Sequence, residues 1–394
     1  MADTAEREHF ALGSVHSGLL DCIQVNLAVL ADHHYGPGTH LRLGAPLGFR
    51  SWERADGLPT VDPPLVEQLP ALPDLLGLRV VRQQRMRRTD MLAAVRTAGR
   101  AHYVVADSFP LPWLPYHRQT HMEHSFLLAA GPDGWHVTDA YRSETHWGPA
   151  APGHWVLPEE DLAGIESAEV IELEPRGLRP VLELPPTLSV DDADVAAYLG
   201  AYDDYADRAR AVEQLTVETW LLARARKLHA AYRARFAGRA DGPGTEAERE
   251  HLRTWDKVVE QTYLAHRRVS RGRAEPPGIV DRLRDVLAAD RTVFGDASAL
   301  SASLSSTSSS SSSSSSPDDE ALRHRVAAVA GAVLGMDGAA LLGGAPFDSF
   351  ASFSSFRLIE IVERLESELG REFDADDLIP ENLRRVDDLC RIAR

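Results

Sequence analysis

Apolar residues come in short runs in the first part of the chain and at helical spacing in the later parts. The runs in the first part are bounded by Gly, Pro or Asp, which is typical of strands, and lie at Val80–Val81, Tyr103–Val105, Phe126–Leu128 and Val170–Ile171. Between Gly131 and Gly134 the sequence Gly-Pro-Asp-Gly predicts a hairpin turn, with a returning strand over Trp135–Thr138. The first part is therefore expected to mix strands with helices.

The pattern after Pro186 predicts helices only. Ser189 with Asp191 and Asp192 is a plausible helix start, and a long helix is predicted over Asp207–Phe236. Thr245, followed by Glu246 and Glu248, and Pro277, ahead of Ile279, open two further helices.

The last part has the pattern of a small helical bundle. An amphipathic helix is predicted to start at Ser355, because its apolar residues Leu358, Ile361, Val362, Leu365 and Leu369 share one face. Two more helices are predicted over Leu322–Leu334 and Val386–Ile392, and a short extra turn, preceded by Asp374–Leu378, is expected as a fourth element.

Two seams divide the chain. The serine-rich stretch from Ala297 to Pro317 contains nothing that could offset the entropy of ordering it, so it is predicted to be a flexible tether. A less distinct domain boundary is predicted at Glu174–Pro186, which contains four prolines. We therefore expect an α+β protein with a mixed domain at 1–180, a helical region at 181–296, a linker at 297–317 and a bundle at 318–394.

Composition narrows the classes of function. The chain has 394 residues, of which 44% are hydrophobic and 26% charged, as in ordinary globular proteins. A net charge of −17 argues against nucleic acid or anionic lipid as a partner, and no long apolar run or leader predicts a membrane span or export. Two cysteines, Cys22 and Cys390, exclude a disulfide framework, so a cytoplasmic protein is expected.

Three residues form a candidate catalytic set. Cys22 lies where the apolar spacing becomes helical, and a helix start lowers the pKa of a thiol and favours thiolate. His124 heads a predicted strand whose hairpin partner ends at Asp139, so the two side chains can meet across the strand pair. Cysteine, histidine and carboxylate supply a nucleophile, a base and a group that orients the base. The alternative interpretation makes Cys22 a small core residue and the other two ordinary turn and strand residues.

A metal site is not expected in this region. His121, Glu123 and His124 are close in sequence, but the apolar run that follows them predicts a strand, and only two imidazoles are near each other.

The C-terminal part resembles acyl and peptidyl carrier proteins. The likeness is carried by Phe353–Phe356, Ile361–Glu366 and Asp376–Leu383, and it covers essentially all of 318–394. It implies that Ser355 carries a 4′-phosphopantetheine cofactor at the head of the second helix. Ser354 stands where carrier proteins usually have Asp, and it is the competing attachment site. A plain helix N-cap is the alternative role for Ser355.

The N-terminal part resembles papain-like cysteine enzymes, and more closely the butirosin biosynthesis protein H N-terminal-like acyltransferases. The residues that carry this likeness are Asp21-Cys22, Gly44–Phe49, Leu111–Tyr116, His121–Gly131 and Thr138-Asp139. The resemblance implies a papain-like fold with Cys22, His124 and Asp139 as the catalytic residues. The oxyanion would be bound by the Cys22 amide together with His16 or Gln24, between which the sequence does not decide.

Together the two resemblances imply a carrier-dependent N-acyltransferase of natural-product biosynthesis. An acyl or aminoacyl group would pass from a phosphopantetheine thioester to Cys22 and then to a small-molecule amine, forming an amide. Such a protein needs a phosphopantetheinyl transferase and a loading ligase as partners. The tether could reach roughly 25 Å by flexible-chain scaling, and use of the carrier within one chain or between chains stays open. The alternatives are a cysteine hydrolase acting on carrier-bound acyl groups and a non-catalytic loading platform.

Overall fold

A computed structural model of the chain describes residues 10–145, 147–177, 182–239, 244–295, 317–350, 353, 355–373, 377–378 and 382–394. Helices and strands are mixed, which confirms the α+β class and the C-terminal helical region. Two compact units are present. The first contains Met1–Trp52, Thr60–Val190 and Arg224–Gly244, and the second contains Glu53–Pro59, Asp191–Ala223 and Thr245–Arg394.

The α-helices of the described residues are numbered in chain order. They are α1 (Gln24–Tyr35), α2 (Leu65–Gln68), α3 (Leu72–Leu75), α4 (Arg88–Ala98), α5 (Asp192–Asp203), α6 (Arg208–Phe236), α7 (Glu246–Val269), α8 (Ile279–Phe294), α9 (Pro317–Leu334), α10 (Ser355–Leu369) and α11 (Val386–Ile392). In the described part of the chain, no helix has both the length and the apolar character needed to cross a membrane.

The strands are numbered in the same way. They are β1 (Pro46–Gly48), β2 (Trp52–Glu53), β3 (Pro59–Thr60), β4 (Leu78–Arg87), β5 (His102–Asp107), β6 (Glu123–Gly131), β7 (Gly134–Asp139), β8 (Ser143–Thr145), β9 (Gly148–Ala150), β10 (Gly153–Leu157), β11 (Ser167–Pro175) and β12 (Thr187–Ser189). Six of them form the central sheet of the first unit, in the order β10-β7-β6-β5-β11-β4 with every pair antiparallel.

The predicted strands all belong to this sheet. The apolar runs noted above lie in β4, β5, β6 and β11, and the predicted hairpin joins β6 to β7 with Gly131 opposite Gly134. In this register β5 pairs with the start of β6, so that Ala106 lies opposite His124. The hairpin thereby returns the chain to the end of the sheet at which β6 begins.

Helix α1 is enclosed in the first unit. Its residues from Val25 to Asp32 are all buried, as expected for a helix that is apolar on nearly every side. It packs against β6 and against the short 3-10 helix Thr39–Gly44. An asparagine, Asn26, lies within this buried run, and burying its amide requires hydrogen-bond partners.

The helices of the second unit begin as the sequence predicts. The carboxylate of Asp191 accepts hydrogen bonds from the amides of Ala193 and Asp194 at the start of α5. Thr245 and Glu248 form a reciprocal capping box at the start of α7. These local signals are set by the sequence alone, because the groups that satisfy the first amides lie within one turn.

The C-terminal part of the second unit has a core of its own helices. Buried apolar residues of α9, α10 and α11 pack together, among them Val326, Ile361 and Leu389. The predicted helices over Leu322–Leu334, from Ser355 and over Val386–Ile392 are confirmed. The segment Asp374–Leu378, which precedes the predicted fourth element, lies mostly outside the described residues.

A glycine explains one of the sequence motifs. A Cβ atom on Gly44 would lie 2.5 Å from the carbonyl oxygen of Leu228 in α6 and 3.0 Å from the amide nitrogen of His229. The ring of His229 also hydrogen-bonds the Gly44 carbonyl, Nδ1 to O, at 2.7 Å. The motif Gly44–Phe49 therefore starts with a residue whose lack of a side chain lets α6 approach the backbone.

We expect Gly44→Ala to destabilise the first unit by roughly 1–3 kcal/mol, because the clash is with backbone that cannot rotate away. The measurement is the thermal unfolding midpoint by circular dichroism. Gly48→Ala is the matched control, since a Cβ there meets only the Ser189 oxygen at 3.6 Å, an ordinary contact. Equal midpoints for the two variants would contradict this account of the motif.

Candidate active site

The candidate site starts at the turn before α1. Cys22 is half-buried in this turn, two residues ahead of the first helical residue, Gln24. The Asp21 carboxylate, which is buried, accepts hydrogen bonds from the amides of Ile23 and Gln24 at 2.8 and 2.7 Å. The first amides of the helix are thus satisfied by Asp21.

Cys22 lies against the two residues that flank His124. Its Sγ contacts the carbonyl oxygen of Glu123 at 3.4 Å, and the Ser125 hydroxyl donates to the Cys22 carbonyl at 2.5 Å. The fold thereby joins the turn before α1 to the first residues of β6, although about a hundred residues separate them in sequence. The predicted nucleophile and the strand of the predicted base are brought together.

His124 and Asp139 form a buried pair. Nε2 of His124 lies 2.7 Å from Oδ2 of Asp139, and the side chains are 0% and 2% exposed. When the imidazole is neutral, its Nε2 proton is donated to the carboxylate and Nδ1 carries the lone pair. Nδ1 is buried and has no hydrogen-bond partner among the described residues. A buried nitrogen of this kind is uncommon, and it is the atom that a general base uses.

Asp139 is fixed by donors on both oxygens. Oδ1 accepts from Nδ2 of Asn26 at 3.2 Å and from the Tyr141 amide at 2.9 Å, and Oδ2 accepts from Nε1 of Trp113 at 3.1 Å as well as from His124. Burial by itself raises the pKa of this carboxyl, but the charge and hydrogen bond of His124 and the other donors outweigh it, so the pKa is lowered. Asp139 therefore stays ionised beside the imidazole.

Asn26 is a site residue that sequence reasoning missed. Its Nδ2 also donates to the carbonyl and hydroxyl oxygens of Ser125 at 2.8 and 3.1 Å, and its Oδ1 accepts from the Ala140 amide at 3.0 Å. A signal was present: an amide stands four residues after Cys22, on the same side of the helix, in an otherwise apolar run. Asn26 ties α1 to both strands that carry the pair.

The Leu111–Tyr116 motif lies beside the same pair. Trp113 donates to Asp139 and packs edge-on against Phe126, with the ring centroids 5.1 Å apart. The hydroxyls of Tyr116 and Tyr141 are 3.2 Å apart, and the Tyr141 ring meets the His124 ring edge-on at 5.2 Å. This motif therefore supplies the wall that excludes water from the imidazole.

Arg224 is a second site residue that the sequence did not reveal, and unlike Asn26 it carries no signal in the sequence. Its guanidinium donates to the carbonyls of Ser17, Leu20 and Arg142, and thereby links the loop before Cys22 to the segment after β7. Burial lowers its pKa. Arg224 lies about two hundred residues after this loop, so only the folded chain shows the connection.

The expected thiolate at Cys22 is a wrong prediction. Burial raises the pKa of the thiol well above its ordinary value, and the carboxylates of Asp21, Asp62 and Asp139 raise it further. The physical reason is local: Asp21 occupies the helix amides that were expected to stabilise the anion, and the sulfur faces a carbonyl oxygen. The cysteine is therefore a thiol at rest, and its ionisation requires a base.

The two residues left open for the oxyanion have different surroundings. The Gln24 amide is used by Asp21. Nδ1 of His16 lies 3.0 Å from Nε2 of His40, whose Nδ1 lies 2.9 Å from the buried carboxylate of Asp32. The His16 ring is thus held in one orientation.

A cleft of about 980 Å³ opens at the end of the sheet where β5 stops and β6 starts. Glu123, whose carbonyl contacts the Cys22 sulfur, lines it. The ring of His121 stacks on Phe109, and its Nδ1 lies at hydrogen-bond distance, 2.6 Å, from Oδ2 of Asp107. Among the described residues, no three His, Cys, Asp or Glu side chains are placed to hold a metal ion together.

Ser355 is the first residue of α10, as the sequence predicts. It therefore occupies the first turn of a fifteen-residue helix, where the backbone amides have no acceptor within the helix. Ser354, the competing site, lies outside the described residues.

No protein-family model matches this chain, and no curated protein matches it either.

We expect Asp62→Asn to increase the rate at which iodoacetamide alkylates Cys22 by roughly twofold to fivefold at a fixed neutral pH. Removing the exposed carboxylate lowers the raised pKa of the thiol, so more thiolate is present, by an amount typical of one solvent-screened charge. The rate is measured by peptide mass spectrometry.

Two internal comparisons make this result specific. Cys390 is the internal control for the reagent, because its alkylation rate should not change in Asp62→Asn. Burial raises its pKa to about 11, and it lies far along the chain in α11. Asp90→Asn removes an exposed carboxylate from α4 and should leave the rate at Cys22 unchanged. An Asp62→Asn rate equal to that of the native protein would refute the electrostatic explanation.

Proposed function

We propose that the N-terminal part is a papain-like cysteine acyltransferase and that the C-terminal bundle is its phosphopantetheine-bearing carrier. The observation that carries the proposal is the buried Nδ1 of His124, which has no partner in the part of the chain that the structure describes. The other nitrogen of His124 binds ionised Asp139, and its strand contacts Cys22. This is the arrangement of base and orienting carboxylate that nucleophilic catalysis requires.

The first half-reaction forms an acyl-cysteine. Nδ1 of His124 takes the thiol proton as Cys22 Sγ attacks the carbonyl carbon of an acyl thioester. The C–S bond to the departing thiol breaks, and His124 returns the proton to that thiol. Asp139 remains ionised throughout and stabilises the imidazolium that forms between the two proton transfers. A raised pKa of the Cys22 thiol suits this scheme, because the sulfur then keeps its proton until substrate is bound. His124 removes that proton as the sulfur attacks the carbonyl carbon.

The second half-reaction transfers the acyl group to nitrogen. An amine attacks the carbonyl carbon of the acyl-cysteine, Nδ1 of His124 removes its proton, and Cys22 leaves as a thiol after the proton is returned. Thioester exchange is nearly balanced in free energy, whereas amide formation from a thioester is downhill. The Cys22 amide, which acts to lower the pKa of its own thiol, is suitably placed to donate to the oxyanion in both halves.

The carrier part of the proposal rests on the bundle and on the place of Ser355 in it. Attached to that hydroxyl, 4′-phosphopantetheine supplies a terminal thiol on which an acyl group is held as a thioester. This chain's own contribution is a serine at the first position of α10, on a bundle with its own buried core. The same proposal places the protein in the cytoplasm, where a phosphopantetheinyl transferase and a loading ligase would act on it.

The cleft beside Glu123 is a suitable place for the amine. Its lining contains more carboxylates than cationic side chains, including Glu160, Asp161, Glu166 and Glu169. A protonated amine is attracted to such a surface before it loses its proton to react. We therefore include this cleft in the proposal as the acceptor site.

We expect Cys22→Ala to abolish both the acyl-enzyme and amide formation when a small acyl thioester and an amine are supplied. His124→Ala should lower the rate of acyl-enzyme formation by roughly 10²–10⁴, as for loss of a general base. Intact-mass spectrometry detects the acyl-enzyme, and liquid chromatography of products with and without amine distinguishes transfer from hydrolysis. Amide formation by Cys22→Ala at the native rate would exclude the mechanism.

The carrier part is examined separately in the same samples. Treatment with a phosphopantetheinyl transferase and coenzyme A should add the arm's mass to the native chain and to Cys22→Ala, but not to Ser355→Ala. Modification of Ser355→Ala would move the attachment site to another hydroxyl, with Ser354 the first to test.

We expect Glu160→Gln combined with Glu166→Gln to raise KM for the amine by about threefold to tenfold, the effect of two solvent-screened charges, with acyl-enzyme formation unchanged. Both carboxylates line the cleft and are exposed. Glu144→Gln, an exposed carboxylate outside the lining, is the control. An unchanged KM in the double variant would remove the cleft from the proposal and leave the cysteine chemistry untouched.

A further inference from the structure

The C-terminal end of α7 and the residues just after it carry four arginines: Arg267, Arg268, Arg271 and Arg273. We call these residues the arginine cluster. It lies in the second unit, as does the bundle formed by α9, α10 and α11.

The cluster binds the acidic face of α10, defined by Glu363 and Glu366. Arg267 makes two parallel hydrogen bonds to Glu363, at 2.9 and 3.0 Å, and Arg271 approaches the same carboxylate at 2.8 Å. Arg273 binds Glu366 at 2.5 Å. Two-point arginine–carboxylate pairs that share a network are the surface ion pairs that contribute measurably.

The apolar part of this contact is small. Leu264 of α7 joins the buried core of the bundle, and Tyr263 packs against it. The side chain of Arg271 is 40% exposed and that of Glu363 16% exposed, whereas Glu366, the partner of Arg273, is buried. Because the pairs made by Glu363 are open to solvent and few apolar side chains are buried with them, these pairs are expected to weaken as salt is added.

Other arginines of the same helix are used differently. Arg249 binds Glu246, and Arg253 binds Glu246 and Glu250, so both pair with carboxylates of α7 itself. Toward the end of α7, Arg267 instead pairs with a carboxylate of another helix, Glu363 of α10. The cluster is therefore distinguished by its partner as well as by its charge.

We propose that the arginine cluster is a reversible docking site for the acidic face of α10, on which the bundle rests between visits to other surfaces. Ser355 begins α10 and Glu363 lies two turns later, so docking holds the helix that carries the proposed attachment site. The serine-rich tether predicted between α8 and α9 keeps the released bundle near its site. The inference rests on the proposed function only where it calls the bundle a carrier.

The test is the tumbling of the bundle within the full-length protein, measured by ¹⁵N transverse relaxation of its amides. At low salt the native bundle should relax as part of the 43.2 kDa chain. In Glu363→Arg, which places a third positive charge against Arg267 and Arg271, the bundle signals should relax several-fold more slowly. Raising the salt toward ~1 M, where the Debye length falls to about 3 Å, should produce the same change in the native chain.

Three comparisons decide the result. The exchange variant Arg267→Glu/Arg271→Glu/Glu363→Arg should restore slow tumbling, and Arg253→Glu should leave the native behaviour unchanged. Dispersed bundle signals in Glu363→Arg show that the bundle is folded in that variant. The variant Arg267→Glu/Arg271→Glu should release the bundle without any change in the bundle's own sequence. Native-like relaxation in both charge-reversed variants, release in Arg253→Glu, or failure of the exchange variant would each overturn the proposal. None of these readings depends on acyl transfer.

Discussion

The geometry of the site depends on one buried carboxylate. Asp139 is removed from water and surrounded by donors from His124, Asn26, Trp113 and the Tyr141 backbone, which belong to separate segments of the chain. An ionised group in such a place is stable only when its oxygens are satisfied. Its requirement for donors brings α1, the Trp113 loop and the sheet to one point, and it leaves Nδ1 of His124 without a partner among the residues that the structure describes.

That constraint changes how the thiol works. A carboxylate buried near the sulfur helps to keep Cys22 protonated, as do Asp21 and burial itself. The same carboxylate fixes the orientation of the His124 imidazole through the hydrogen bond between Nε2 and Oδ2. A thiol kept neutral until substrate arrives is less open to oxidation and alkylation than a standing thiolate. The Asp139 carboxylate therefore helps to keep the Cys22 thiol protonated and also orients the His124 imidazole.

The two ends of the chain use charge in opposite ways. At the candidate site the hydrogen-bonded pair of His124 and Asp139 is buried, since either partner alone would be an unsatisfied polar group in the core. Between α7 and α10 the pairs that Glu363 makes with Arg267 and Arg271 are partly exposed, so water and salt compete with them. A catalytic pair has to hold its geometry, whereas a carrier has to leave its resting place, and the burial of each set of charges suits its proposed task.

The sequence by itself determined the elements whose causes are local. These are five of the six strands of the sheet, the β6–β7 hairpin that sets His124 and Asp139 on neighbouring strands, the capped starts of α5 and α7, and the start of α10 at Ser355. The tertiary structure alone decided which distant groups meet. Asn26 reaches Asp139, Arg224 ties the loop before Cys22 to Arg142, and Asp21 takes the amides that were expected to favour the thiolate. Hydrogen bonding within a turn is fixed by neighbours in sequence, but a pKa and an unpartnered nitrogen depend on everything that surrounds the atom, and only the folded chain specifies those surroundings.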